Sequence, residues 1–129
     1  MLLDNVIIVT EGTTDYGSIL VRKYALIGAK VIFTSTCEED AKNLKSYIVE
    51  EEPSYVNLEY CIVDLAKLND VKKFTTYINE KYKRLDMLVN NPPSLDSDDL
   101  IFDKRKVTED GIEWFFQTNY LSFLYLTTQ

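Results

Sequence analysis

Four short apolar runs rich in β-branched residues, each followed by a stretch of helical periodicity, restrict what this chain can fold into more than any other feature. Residues 5 to 10, NVIIVT, form a continuous apolar run, the mark of a strand buried on both faces of a parallel sheet. A turn-rich stretch, EGTTDYG, comes next, and then SILVRKYALIGA, in which Leu20, Val21, Tyr24 and Ala25 recur at helical spacing. Gly28 closes that helix, as glycine does where a chain must turn left-handed, and KVIFTST supplies a second strand. A second helix is expected from Glu38 to about Glu51, with Ala41, Leu44 and Ile48 on one face and Pro53 as its stop. VNLEYCIVDL reads as strand three. Asn69 is the expected N-cap of a third helix lined by Val71, Phe74 and Ile78, and RLDMLVNN gives strand four.

Connections of this length are too long for hairpins. They predict right-handed βαβ crossovers, hence an α/β fold: a Rossmann-like three-layer α/β/α domain with a parallel sheet in the order 3-2-1-4. With 129 residues, the chain has the size of one domain with a real core and hardly of two. Residues 92 to 106, PPSLDSDDLIFDKRK, are polar and turn-forming apart from Leu100, Ile101 and Phe102, and are expected to form a mobile surface loop. Thr108 with Glu109 and Asp110 looks like a helix start, and the last helix is expected to run through Trp114, Phe115, Phe116, Tyr120 and Leu124 toward Gln129. The expected unit is thus a half-domain, truncated after the fourth strand and its following helix.

Composition removes several classes of function. Fourteen basic against twenty-one acidic residues give a formal charge of −7, which repels phosphate backbones and argues against a nucleic-acid partner. The chain has no histidine, which excludes Ser-His-Asp and Cys-His mechanisms. Cys37 and Cys61 lie far apart and fit neither a zinc site nor a disulfide framework, so both are expected to be buried thiols. The start MLLDN and the short run Val6 to Val9 lack a basic leader and are too short to span a bilayer, so a soluble, cytoplasmic protein with no transmembrane segment is expected.

A glycine-bearing loop between a first strand and first helix is where parallel α/β proteins hold phosphates, because free N–H groups and the positive helix end point there. TEGTTDYG at 10 to 17 resembles the TGxxxGxG motif of the short-chain dehydrogenase/reductase superfamily. Three more segments fall in the family's order: VDL at 63 to 65, LVNNPP at 88 to 93 against its NNAG, and TEDGIEWFFQTNYLSFLYLT at 108 to 127, the last similar to the retinol-dehydrogenase-like branch, which includes many uncharacterised fungal oxidoreductases. The resemblance implies an NAD or NADP cofactor bound by Thr10, Gly12, Thr13, Thr14, Asp15, Tyr16, Gly17, Thr36, Asp64, Leu65, Asn90 and Asn91, with no metal. Asp64 and Leu65 would sit beside the adenine, and Asn119 matches the asparagine of the family's Asn-Ser-Tyr-Lys tetrad. Apart from the family, Asp64 also suits a strand-end turn, Asn90 and Asn91 an Asx-type turn, and Asn119 a polar interruption of an apolar helix.

The sequence also departs from the family's pattern. Of three motif glycines only Gly17 stands in place, with Glu11 and Asp15 at the first two positions and Gly12 at a variable one. A side chain at the middle position intrudes where backbone must approach pyrophosphate. An Asp15 carboxylate about 5 Å from a phosphate would cost on the order of 3 kcal/mol at an effective ε of about 20, roughly a hundredfold in affinity. Asp15 also suits the N-cap of the first helix. Ser35, Thr36 and Cys37 stand where relatives carry the residue that selects NAD or NADP, and Pro92 and Pro93 replace Ala-Gly, removing two backbone donors.

By the resemblance, the family's catalytic serine, tyrosine and lysine belong to elements that would follow Gln129. Tyr77-x-x-x-Lys81 matches their spacing but falls on the third helix. The expectation is therefore the NAD(P)-binding Rossmann half of a short-chain oxidoreductase without turnover of its own. Two alternatives stand beside it. One is an interaction module or homodimer that docks through the edge of strand four and the surface carrying Trp114, Phe115, Phe116, Phe123 and Leu124. The other is the amino-terminal part of an active dehydrogenase of hydrophobic alcohols or carbonyls.

Overall fold

The computed structural model describes residues 3–53, 56–93 and 105–129. In chain order the elements are β1 (Val6–Val9), α1 (Asp15–Leu26), β2 (Lys30–Ser35), α2 (Glu38–Glu51), β3 (Asn57–Ile62), α3 (Leu68–Lys81), β4 (Met87–Val89), α4 (Trp114–Phe116) and α5 (Ser122–Thr128), with a π-helical turn, Gln117–Leu121, joining the last two. The four strands form one parallel sheet in the order β3-β2-β1-β4, as the alternation of periods predicts. Most of the expected 92 to 106 loop lies outside the described residues.

Both faces of the sheet are covered, which explains why its strands carry apolar residues without a polar alternation. Along β1, Ile7 and Val9 pack on one side with Val21, Ala25, Phe33, Ala41 and Ile48, the buried stripes of α1 and α2. Ile8 points the other way, with Ile32, Val63, Leu65, Val71, Phe74 and Ile78, so α3 lies under the opposite face. Phe123, Tyr125 and Leu126 of α5 pack against this second cluster. Each fully buried Val, Ile or Phe contributes about 1.5–3 kcal/mol relative to exposure, so this two-sided core is the main source of stability.

The helix boundaries differ from expectation in three places, each for a visible reason. Thr14, not Asp15, caps α1: its Oγ1 accepts from the Gly17 N–H at 3.1 Å while Asp15 is already the first helical residue. Lys67 rather than Asn69 occupies the cap position of α3, and a carboxylate from elsewhere serves that end, the Leu68 N–H donating to Asp110 Oδ2 at 2.8 Å. Thr108 to Asp110 do not begin the last helix. Thr108 donates to Gln117 Oε1 at 2.5 Å, Gln117 Nε2 donates to Asp110 at 2.7 Å, and Glu113 caps the helix by accepting from the Phe115 and Phe116 N–H groups. Thr108 and Asp110 are thus engaged by Gln117 and Leu68, which leaves the capping role to Glu113.

The two thiols are not both buried. Cys37 is exposed at the cap position of α2, and Cys61 is half-buried on β3, where burial and the nearby Glu59 push its thiol up to about 11. Among the described residues no group of cysteines and carboxylates is arranged to hold a metal, and no helix is long and apolar enough to cross a membrane.

Candidate functional site

The loop from Thr10 to Thr14 leaves β1 and enters α1 by way of a left-handed residue, and that residue is Glu11, with φ of 48°. It adopts the conformation for which the first motif glycine is suited, at the strain cost an L side chain bears there. Its backbone is held at both ends. The Glu11 N–H donates to Thr34 Oγ1 at 3.0 Å, and its carbonyl accepts from Thr14 Oγ1 at 2.9 Å and Asn91 Nδ2 at 3.0 Å. Gly12 and Gly17 are required by proximity instead. A Cβ on Gly12 would lie 2.6 Å from the Phe33 Cβ, and one on Gly17 would lie 2.2 Å from the Glu11 carbonyl oxygen. The α1 N-terminus is thereby drawn tightly against the strand end, with its first N–H groups lacking partners inside the helix.

Asn91 is the clamp of this loop. Its N–H donates to Thr10 Oγ1 at 2.8 Å, Thr10 returns its hydroxyl to the Asn91 carbonyl at 2.7 Å, and the Asn91 amide reaches Glu11 and also Thr14 Oγ1 at 2.9 Å. The end of β4 and the β1–α1 loop are one hydrogen-bonded unit.

This unit opens on a cleft of about 490 Å³ at the carboxyl end of the strands, the place where open α/β sheets take their ligands. Of the residues expected to bind a dinucleotide, Thr13, Thr14, Thr36, Asp64 and Leu65 line it. Thr13 is steadied by a 2.9 Å hydrogen bond to Ser35 Oγ. Asp64 also makes its own turn, accepting from the Ala66 N–H at 2.9 Å. Thr10, Gly12, Gly17 and Asn91 shape the loop behind the cleft rather than line it. Asp15 and Tyr16 are exposed on the first turn of α1, and Asn90 is exposed with its amide 3.4 Å from Thr127 Oγ1. Asn119 lies exposed in the π-helical turn, its amide bonded to Thr118 Oγ1 at 3.0 Å.

Five further residues line the cleft: Glu11, Asp40, Pro93, Trp114 and Thr118. Glu11 is the important one, because it is only 5% exposed and burial, reinforced by the negative charge of Asp64, pushes its carboxyl up to about 7. The intruding carboxylate therefore belongs to Glu11 and not to Asp15. Its signal in the sequence is the acid at a glycine position just after a buried strand. Trp114, expected on a docking surface, is half-buried and forms a wall of the cleft, with the Lys106 ammonium 4.7 Å from its ring centre.

The cleft joins a glycine-tight loop, the open end of α1 and an aromatic wall to acidic charge: Glu11, Asp40 and Asp64 line it, and no lysine or arginine is among the described residues that do.

Tyr77 and Lys81 lie elsewhere. With Tyr82 they converge on Glu59 of β3, Lys81 Nζ donating to both carboxylate oxygens at 2.9 Å and Tyr82 at 2.7 Å, while Tyr77 also bonds Glu59. The bond to Glu59 raises the Tyr77 hydroxyl, the opposite of what a proton donor working near neutrality needs. This cluster ties α3 to the sheet.

The model of the family described as short chain dehydrogenase matches residues 5–129. The chain belongs to that family. Among curated short-chain dehydrogenase relatives, polyprenol dehydrogenase of Danio rerio is 34% identical over 122 residues, covering 95% of this chain and 36% of the relative, and its Homo sapiens counterpart is 32% identical over 124 residues, covering 96% and 36%. Retinol dehydrogenase 13 of Homo sapiens is 29% identical, covering 94% of this chain and 34% of that one. This short-chain dehydrogenase chain thus spans about a third of the length of the curated relatives it matches. Among solved structures, a metagenomic short-chain oxidoreductase in complex with NADP superposes with a TM-score of 0.65 at 26% identity over 73% of this chain and 42% of that chain. The Pseudomonas aeruginosa RhlG/NADP active-site complex gives 0.76 at 21% identity over 99% and 47%, a likeness of fold alone.

Proposed function

We propose that this chain is the NAD(P)-binding half of a cytoplasmic short-chain oxidoreductase, with a weakened dinucleotide site and no turnover as a 129-residue unit. The observation that carries this reading is the cleft between the β1–α1 loop and Trp114, built on the clamp from Asn91 to Glu11 and Thr14. NADP in the metagenomic relative supports the cofactor class, and the names polyprenol and retinol dehydrogenase support a hydrophobic alcohol or its carbonyl as the substrate of the longer relatives' chemistry. Asn119 stands in this reading as a remnant of the tetrad. No serine, tyrosine or lysine is among the described residues that line the cleft, and Tyr77 and Lys81 are engaged with Glu59. Hydride transfer requires a proton donor held against the substrate oxygen, and the described lining offers only carboxyls and threonine hydroxyls, the near-neutral one, Glu11, being buried in the β1–α1 loop. Calorimetry with NADH and NADPH is expected to give binding weaker than micromolar and an assay on hydrophobic aldehydes no reduction. Robust carbonyl reduction by the purified chain contradicts the reading.

A second reading, a docking module, is favoured by one observation: β4 pairs with β1 alone among the described strands, leaving its other edge open beside a cavity of about 450 Å³ lined in part by Ile8, Phe74, Met87, Leu88 and Leu126. An open edge next to apolar surface suits a second copy or a further strand.

A further inference from the structure

The acidic charge of the cleft centres on one side chain. Glu11 is held in the left-handed conformation by backbone hydrogen bonds to Thr34, Thr14 and Asn91, which fixes the direction in which its side chain leaves the loop. Glu11 is almost wholly buried and lines the cleft. We infer that the cleft takes up one proton together with its dinucleotide, Glu11 entering the complex as the neutral acid. The inference rests on the dinucleotide reading above and names the group that governs it.

The charged groups among the described lining residues are all acidic. Asp64 beyond β3 acts on Glu11, Asp40 on α2 lines the same cleft, Asp15 on α1 stands exposed at the loop's far end, and the lining from the last helix and after β4, Trp114, Thr118 and Pro93, is uncharged. Lys106 sits over Trp114 and is not among the lining residues. A pyrophosphate placed there meets an ionised Glu11 at a penalty of roughly a hundredfold for a separation of about 5 Å and an effective ε of about 20. Protonation removes that charge and converts an acceptor-only group into an O–H donor that an anionic ligand is able to accept. Burial and Asp64 already hold the carboxyl at about 7 in the free protein, so the proton is available near neutral pH. A group that must be protonated in the complex makes affinity flat below its free-state pKa and tenfold weaker per pH unit above it.

The test is calorimetric titration of NAD⁺, whose pyrophosphate keeps its charge across the range, at pH 6, 7 and 8 in buffers of differing ionisation enthalpy. The wild-type chain is expected to lose about tenfold in affinity from pH 6 to pH 8 and to take up close to one proton at pH 8. Glu11→Gln keeps its pH 6 affinity at pH 8 with no proton uptake, and Glu11→Gly, which suits the positive φ, does the same should the amide disturb the fold. Wild-type affinity equal at pH 6 and 8 without proton uptake overturns the inference and leaves the dinucleotide reading standing. Absence of NAD⁺ binding by all three proteins at pH 6 overturns both.

Discussion

At Glu11 a single side chain holds two unfavourable states at once, a left-handed backbone and a buried acid. Its carboxyl is raised from 4.5 to about 7 by burial and by Asp64. At low pH both folded and unfolded chains carry the proton and nothing is lost. As pH rises past the unfolded value the unfolded chain ionises first, so stability falls between about pH 4.5 and 7 and is level above. Glu11→Gln is therefore expected to match wild type near pH 4.5 and to exceed it by on the order of 2–3 kcal/mol above pH 7, read from urea unfolding midpoints. A constant difference across that range contradicts the raised carboxyl. The glycine motif marks the β1–α1 loop, yet the sequence alone places the intruding charge on Asp15. Which of two acids faces the cleft depends on the direction in which a left-handed residue projects its Cβ, and that direction follows from Thr34 and Asn91, distant in sequence.

At the scale of elements, the β1–α1 loop and the end of β4 act together through Asn91. Asn91→Ala removes donors to the Glu11 carbonyl and to Thr14 and is expected to cost about 1–3 kcal/mol, whereas Asn90→Ala, on an exposed neighbour, is expected to stay within about 0.5 kcal/mol. Equal effects from the two substitutions would contradict the clamp. The elements themselves were plain in the sequence because their signal is local: β1 is apolar throughout, and α3 repeats Val71, Phe74 and Ile78 on one face. Helix starts were less legible. Thr108 and Asp110 look like caps but bond Gln117 and the start of α3, and Glu113 takes the capping role. Thr14 beside Asp15 is the same lesson within one residue, since either side chain suits an N-cap and the tight contact of Gly17 on Glu11 selects Thr14.

For the whole molecule, strand order followed from the βαβ connections and the rule of handedness, and the family likeness runs from residue 5 to 129. The walls of the cleft did not follow as readily. Trp114 returns to the carboxyl end of the sheet from a point far along the chain, so no local pattern distinguishes it from Phe116 and Tyr120, which remain exposed. The open edge of β4, with Met87 and Leu85 partly exposed, makes self-association the expected behaviour under the docking reading. Light scattering at tens of micromolar, roughly the range in which weak edge pairing is populated, then shows a dimer that Met87→Lys dissociates. A monomer of ordinary stability contradicts that reading.

Trp114 is the chain's single tryptophan and stands in the cleft wall, so it reports directly on whether a dinucleotide enters. The decisive measurement is its emission during titration with NADH at pH 6. A bound dinucleotide predicts saturable quenching of Trp114 with sensitised emission from the reduced nicotinamide. Unchanged Trp114 emission up to about 1 mM NADH, the weakest affinity of about −4 kcal/mol that still counts as a site, contradicts the account.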